Sequence, residues 1–151
     1  MIRAVLDTNV LASGFASHGE GSPPVQILDS WRTRFYTLIV SEHLLIELAR
    51  TLDDRYFRRR LTPEEIAADL RLLHRHALMT DITVEVHGVA THQEDDLTLA
   101  SALSAHADYL VTGDKKLREV GAYQGVRIVS PREFLELLLS EGWKECILVR
   151  R

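Results

Sequence analysis

The stretch "MIRAVLDTNV" (residues 1–10) places an aspartate directly behind a run of apolar side chains. Residues 2–6 are apolar apart from Arg3, a pattern typical of a strand that is buried in a sheet. Asp7 follows at once, and apolar residues resume at Val10. The abrupt change predicts that Asp7 lies at the carboxyl end of a buried strand.

Further apolar, strand-like runs recur along the chain and alternate with helical patterns. We predict strands at 2–6, 36–40, 82–86, 108–112 and 126–129. Strands that are almost continuously apolar and alternate with helices indicate a parallel sheet covered on both faces. The sequence therefore predicts an α/β protein with three α/β/α layers and a mainly parallel central sheet.

Two predicted helices begin with the same local sequence pattern. Thr62-Pro63-Glu64-Glu65 and Ser130-Pro131-Arg132-Glu133 each place a hydroxyl residue three positions before a glutamate, with proline between them. This is the pattern of a capping box with proline in the first turn. Other helices are predicted at 24–32, 41–53 and 95–106 from apolar periodicity.

Length and composition predict one domain over residues 1–151, with a tail at 142–151 that either adds a strand or packs on the core. No apolar run approaches the roughly 18 residues of a membrane span, and Asp7 interrupts any secretory signal. Cys146 is the only cysteine, which favours a reducing cytoplasm and excludes a cysteine-based metal site. The net charge of −4 means that nucleic-acid binding would need a local basic patch.

Acidic residues follow several of the predicted strands. Asp7 ends the first strand, Glu47 lies on the helix after the second, and Asp114 follows the strand at 108–112. Asp95 and Asp96 precede that strand, at the start of a helix. Because sites in open parallel sheets form beyond the carboxyl ends of the strands, these acids are expected to converge.

Each acid also has a simpler interpretation. Asp7 and Asp114 are well placed to be helix N-caps. The Glu94-Asp95-Asp96 run is compatible with a solvated first turn that complements the helix dipole. Glu47 is compatible with a surface position on an amphipathic helix. Convergence at one edge of the sheet is what favours a site.

Carboxylates held close together repel one another unless a cation joins them. Oxygen ligands without cysteine or paired histidines favour Mg²⁺ or Mn²⁺. Such a site suits the hydrolysis of phosphodiesters.

The motifs "VLDTNVL", "VSEHLLIELARTL", "ADYLVTGDKKL" and "VRIVSPREFLELL", in this order, resemble the PIN-domain family from Met1 to about Leu139. The similarity is greatest to the toxin components of toxin–antitoxin pairs. The resemblance implies an α/β/α fold that cleaves RNA with Mg²⁺ or Mn²⁺. It also implies a small antitoxin protein as partner and a homodimeric assembly.

Carried over from the resemblance, the acidic set is Asp7, Glu47, the Asp95/Asp96 pair and Asp114, with Asn9 and Thr112 as polar support. Within the pair, Asp95 keeps the family's spacing to "LASA". This chain reads "THQEDDLTLASA", where relatives commonly carry an Asp-Pro-Asp-Asp type of run, so the identity of the third acid stays open.

The densest basic stretch is "RYFRRRL" (residues 55–61), whose arginines are candidates for RNA contacts: Arg55, Arg58, Arg59 and Arg60. A solvated turn between two helices explains the same stretch. Among the seven histidines, His43 is one helical turn from Glu47, and His92 directly precedes the acidic run. The other histidines show no grouping.

Two hypotheses of different classes remain: a metal-dependent ribonuclease, or a catalytically weak PIN-fold module that binds RNA or protein. Retention of all the expected acids favours the nuclease. An aspartyl phosphotransferase needs a second aspartate two residues after the first, and Asn9 occupies that position. A dinucleotide-binding fold lacks its glycine motif after the first strand.

Overall fold

The computed structural model describes residues 1–17 and 21–144, and it contains a six-stranded sheet in the order β3-β2-β1-β4-β6-β5. All neighbouring strands are parallel except β5 and β6. The strands are β1 (Arg3–Leu6), β2 (Thr37–Ser41), β3 (Leu78–Thr80), β4 (Tyr109–Val111), β5 (Ala122–Tyr123) and β6 (Val126–Val129). The predicted α/β class with a mainly parallel sheet is confirmed.

Helices connect the strands. They are α1 (Thr8–Ala16), α2 (Pro23–Arg32), α3 (Glu42–Leu52), α4 (Arg55–Arg58), α5 (Pro63–His76), α6 (Gln93–Ser104), α7 (Lys115–Val120) and α8 (Pro131–Ser140). Both predicted capping boxes are formed, at Thr62 with Glu65 and at Ser130 with Glu133. None of the helices in the described part of the chain is long and apolar enough to span a membrane.

The two faces of the sheet carry separate apolar cores, because alternate strand residues point in opposite directions. Ala4 and Leu6 of β1 pack on the side of α1, α2, α3, α5 and α8. Val5, between them, packs with residues of α6 and α7 on the other side. The central strands are therefore buried on both faces, as their apolar sequences predict.

The predicted strand at 82–86 is wrong. The backbone amides of Thr83 and Val84 instead donate to Ser104 Oγ, at 2.9 and 3.2 Å. The edge of β2 is occupied by β3, which begins two residues after α5 ends. Residues 82–86 alternate as an edge strand would, but β3 comes earlier in the chain and already pairs with the edge of β2.

The tail predicted at 142–151 lies mostly at 145–151, outside the described residues. Trp143 is described and is buried, with its Nε1 donating to Thr33 Oγ1 at 3.3 Å.

Gly14 allows α1 to approach α2 closely. A Cβ at this position would lie 2.5 Å from Leu28 Cδ1 and 2.9 Å from the carbonyl oxygen of Pro24. Because a backbone oxygen cannot rotate away, Gly14→Ala is expected to lower the free energy of unfolding by about 1–3 kcal/mol, despite alanine's higher helix propensity. Urea denaturation measures the effect. Ser13→Ala, on the exposed side of α1, is the control, and equal stability of the two variants would contradict the prediction.

Candidate functional site

Asp7 is buried at the point where β1 passes into α1, with 5% of its surface exposed. Its backbone amide donates to the carbonyl oxygen of Val111 at 2.8 Å, which extends the pairing of β1 with β4. Its Oδ1 accepts from the amide of Thr8 at 2.7 Å, so Asp7 is also the N-cap of α1. The helix-cap interpretation and the strand-end interpretation are therefore both correct for this residue.

Thr112 joins Asp7 to Asp114. Its buried hydroxyl donates to Asp7 Oδ2 at 2.8 Å and accepts from the amide of Asp114 at 3.1 Å. Asp114 caps α7, with Oδ1 accepting from the amide of Lys116 at 2.9 Å. The carboxyl ends of β1 and β4 thus bring two aspartates to one edge of the sheet, as the sequence predicts.

Glu47 lies in the middle of α3, the helix that directly follows β2. Its Oε2 is buried and has no hydrogen-bond partner, although His43 Nε2 lies 3.5 Å away. The pKa of Glu47 is raised to about 7, chiefly because burial desolvates the carboxylate. The nearby Thr8 hydroxyl opposes the rise, and the carboxylates of Glu94, Asp7 and Asp95 contribute to it. A buried carboxylate oxygen that accepts no hydrogen bond indicates a group suited to bind something that the chain does not supply.

The two neighbouring aspartates of α6 have different surroundings. Asp95 is half-buried, and its pKa is raised to about 6, chiefly by burial and also by Asp7 and Asp114, against the opposing effect of His92. Asp96 is buried and accepts from three backbone amides, those of Gly88, Val89 and Ala90, at 2.7 to 3.2 Å. Asp95 faces the other acids, while the carboxylate of Asp96 holds the loop at 88–90.

Asp7, Glu47, Asp95 and Asp114, which we call the acidic group, influence one another electrostatically. Burial is the main cause of the raised pKa of Asp7, and Asp114 adds to it, while the bonds from Thr112 and Thr8 oppose it. The acidic group comes from four separate parts of the chain: the β1–α1 junction, the middle of α3, the first turn of α6 and the β4–α7 junction.

The donor chemistry of the acidic group fits a hard divalent cation, because it offers carboxylate oxygens whose charges are not otherwise balanced. Across residues 1–17 and 21–144, however, no three side chains from Asp, Glu, His or Cys are close enough to hold one ion. Carboxylates that repel one another favour this wider spacing. Cation binding would therefore have to draw these side chains together.

Beside the acidic group lies a cleft of about 440 Å³, which we call the Tyr56 cleft. The residues that line it are Asn9, Glu47, Arg50, Thr51, Asp54, Tyr56, Phe57 and Glu94. The two residues predicted to support the acids therefore lie in different places. Thr112 lies between Asp7 and Asp114, and Asn9 is exposed in the Tyr56 cleft. The basic residues Arg55, Arg58, Arg59 and Arg60 lie on α4 and the turn after it.

Sequence reasoning missed Glu94, Thr8 and Arg50 as neighbours of the acids. Arg50 is one turn beyond Glu47 on α3, a spacing of three residues that was visible in the sequence. Glu94 and Thr8 adjoin predicted acids along the chain, but only the packing of α6 and α1 against α3 brings them to Glu47. The pairing of His43 with Glu47 was expected and is present.

The acidic group is expected to make the metal-free protein less stable as the pH rises from about 4 to 7. In this window the folded protein retains protons on Glu47 and Asp95 that the unfolded chain has already released, because both pKa values are raised on folding. By linkage, the free energy of unfolding then falls with rising pH. Urea denaturation at several pH values in a chelator measures the slope.

Glu47→Gln keeps the shape of the side chain and removes one of the two titrations. Its stability is therefore expected to depend less steeply on pH than that of the unmodified protein. Identical slopes for the two proteins would show that Glu47 titrates normally.

Comparisons with known proteins identify the family and the fold. The sequence matches a family model described as PIN domain over residues 3–116. No curated protein matches the sequence.

The fold is similar to that in a crystal structure of VapBC2 from Rickettsia felis bound to a DNA fragment from their promoter. The TM-score is 0.59 at 15% identity, covering 85% of this chain and 98% of that one. It is also similar to Mycobacterium tuberculosis VapC20, described as a sarcin-ricin loop cleaving toxin. There the TM-score is 0.55 at 16% identity, covering 82% and 98% of the two chains.

Proposed function

Because the chain belongs to the PIN domain family, we propose that it is a Mg²⁺- or Mn²⁺-dependent endoribonuclease whose active site is the acidic group. One observation carries the proposal. Asp7 and Asp114 are joined through the Thr112 hydroxyl, and Glu47 and Asp95 lie close enough for these carboxylates to influence their pKa values.

The reaction is the hydrolysis of an RNA phosphodiester. A water oxygen bonds to phosphorus, one ester P–O bond breaks, and the leaving oxygen gains a proton. A divalent cation held by Asp7, Asp95 and Asp114 would supply positive charge against the phosphate and acidify the attacking water. Asp96 is left out of this set because three backbone amides already occupy its carboxylate.

The chain itself supplies orientation and proton transfer. Thr112 and the amide of Thr8 fix both oxygens of Asp7, so that this carboxylate cannot rotate freely. Glu47, with a pKa of about 7, is suited to take a proton from water near neutral pH. His43, 3.5 Å from Glu47, is placed to receive that proton in turn.

The structural similarity to VapC20 and VapBC2 supports a role as the toxin of a toxin–antitoxin pair. We propose accordingly that this single-domain chain acts in the cytoplasm as a homodimer and is neutralised by a small antitoxin protein. Expression of the chain alone is expected to arrest growth, and co-expression of the protein encoded beside it is expected to relieve the arrest. Growth unaffected by the active chain would contradict the toxin role without touching the nuclease activity.

RNA cleavage by the purified protein tests the enzymatic proposal. Mixed cellular RNA is incubated with the protein in Mg²⁺, in Mn²⁺ and in EDTA, and the products are separated by size. Discrete fragments are expected with either metal and none with EDTA. If neither metal supports cleavage, the alternative of a catalytically weak binding module gains support for these substrates.

A further inference from the structure

The Tyr56 cleft is lined both by Glu47 of the acidic group and by an exposed aromatic ring. Tyr56 has 55% of its surface exposed, yet it lies in the same cleft as Glu47 and Asn9. A cleft of about 440 Å³ has room for a nucleotide-sized group. An aromatic side chain at this position needs an explanation beyond packing, because more than half of it contributes nothing to the core.

The ring of Tyr56 is held in place by contacts that cover one of its faces and still leave 55% of the residue exposed. The guanidinium of Arg60 lies over it at 3.6 Å from the ring centre, and Arg60 also donates to the carbonyl oxygen of Tyr56 at 2.8 Å. The ring centres of Phe57 and Tyr56 are 4.9 Å apart with the two rings nearly perpendicular, and Asp54 Oδ1 accepts from the amide of Tyr56 at 3.0 Å. Phe57 packs against the core, so the short helix α4 is anchored.

Arg50 brings a positive charge to the cleft that contains Tyr56 and Glu47. It is exposed on α3, it lines the Tyr56 cleft, and its side chain forms no hydrogen bond or ion pair with any residue that the structure describes. Glu47, Glu94 and Asp54 line the same cleft. An anionic ligand entering this acidic region needs a cation to approach, and a planar guanidinium suits the oxygens of a phosphate.

We propose that Tyr56 and Arg50 form a nucleotide subsite, in which an unpaired base of single-stranded RNA stacks on Tyr56 and an adjoining phosphate lies against Arg50. The subsite rests on the proposed ribonuclease function, which supplies the RNA. Stacking on an aromatic ring accepts any base, because every base has a π-face. The subsite therefore selects for unpaired RNA rather than for sequence. It also gives Arg60 a supporting role behind Tyr56 instead of a phosphate contact.

Binding of a short single-stranded RNA that carries 2-aminopurine tests the subsite. The protein used is Asp7→Asn in Mg²⁺, so that binding is measured without cleavage, and the fluorescence of 2-aminopurine falls when the base stacks. Adding Tyr56→Ala is expected to weaken binding on the order of fivefold or more and to remove the fall in fluorescence. Tyr56→Phe, which keeps the ring, is expected to retain both.

Arg50→Gln is expected to weaken binding and to flatten its salt dependence, because one phosphate contact is lost. Arg132→Gln, which removes an equal charge from the exposed start of α8, is the matched control and is expected to change neither.

Equal binding by Tyr56→Ala and its parent would overturn the subsite, as would a parent that binds no RNA. Cleavage by the unmodified protein is measured separately and decides the proposed function. If the unmodified protein cleaves RNA but binding does not depend on Tyr56, the ribonuclease proposal is supported and the subsite is rejected. Tyr56-dependent binding without cleavage supports the subsite and counts against catalysis.

Discussion

Replacing Asp7 by asparagine is expected to lower RNA cleavage by at least about a hundredfold while leaving the fold intact. Loss of a group that merely supports a metal ligand costs about 10–100-fold, so loss of a ligand should cost no less. The fold should persist because the asparagine oxygen can still accept from the amide of Thr8, and its NH₂ group can donate to Thr112 Oγ1. Burial also disfavours the charge of Asp7, so the neutral side chain removes a cost.

Cleavage rates and circular dichroism of the purified variant measure the two halves of this prediction. Asp81→Asn removes an equal charge from an exposed position and serves as the control, with unchanged activity expected. Full activity of Asp7→Asn would remove Asp7 from the active site. An unfolded Asp7→Asn would show that its main role is to cap α1 and join β1 to β4.

The two adjacent aspartates of α6 are expected to respond in opposite ways to alanine substitution. Asp96→Ala leaves the amides of Gly88, Val89 and Ala90 without their shared acceptor, and hydrogen bonds to a charged group contribute about 1.5–3 kcal/mol each. Part of this loss is recovered when the loop opens to water, so we expect destabilisation of about 3 kcal/mol. Asp95→Ala is expected to preserve stability and to abolish cleavage.

Urea denaturation and the cleavage assay, applied to both variants, give a complete comparison. Each variant is the other's matched control, since the two differ only in which neighbouring carboxylate is removed. A fully stable but inactive Asp96→Ala, together with a destabilised but active Asp95→Ala, would reverse the assignment of the third acid.

The parts of the fold that depend on local signals could be predicted from the sequence. The capping boxes at Thr62 and Ser130 involve residues three positions apart, and both are formed. Local signals could not decide whether residues 82–86 form a strand, because the edge strand is whichever segment of the chain pairs with β2. Val86 of this segment is instead buried in the core on the side of the sheet that α6 covers.

In the candidate site, too, some positions could be predicted from the sequence and others could not. The positions of Asp7 and Asp114 follow from the rule that parallel strands end at one edge of the sheet. For Asp95 and Asp96, successive helical residues point about 100° apart, and the sequence does not show where the loop at 88–90 will lie. Tyr56 approaches Glu47 only because α4 turns back beside α3, and no pattern in "RYFRRRL" predicts that turn.

The central claim is that the acidic group binds a divalent cation, and thermal melting with and without Mn²⁺ tests it most directly. At a metal concentration of about 100 times Kd, binding stabilises the folded protein by about 2.7 kcal/mol, which corresponds to a rise in Tm on the order of 5–10 °C. We expect this rise in the unmodified protein and a much smaller one in Asp7→Asn. No rise at millimolar Mn²⁺, or an equal rise in Asp7→Asn, would contradict the claim.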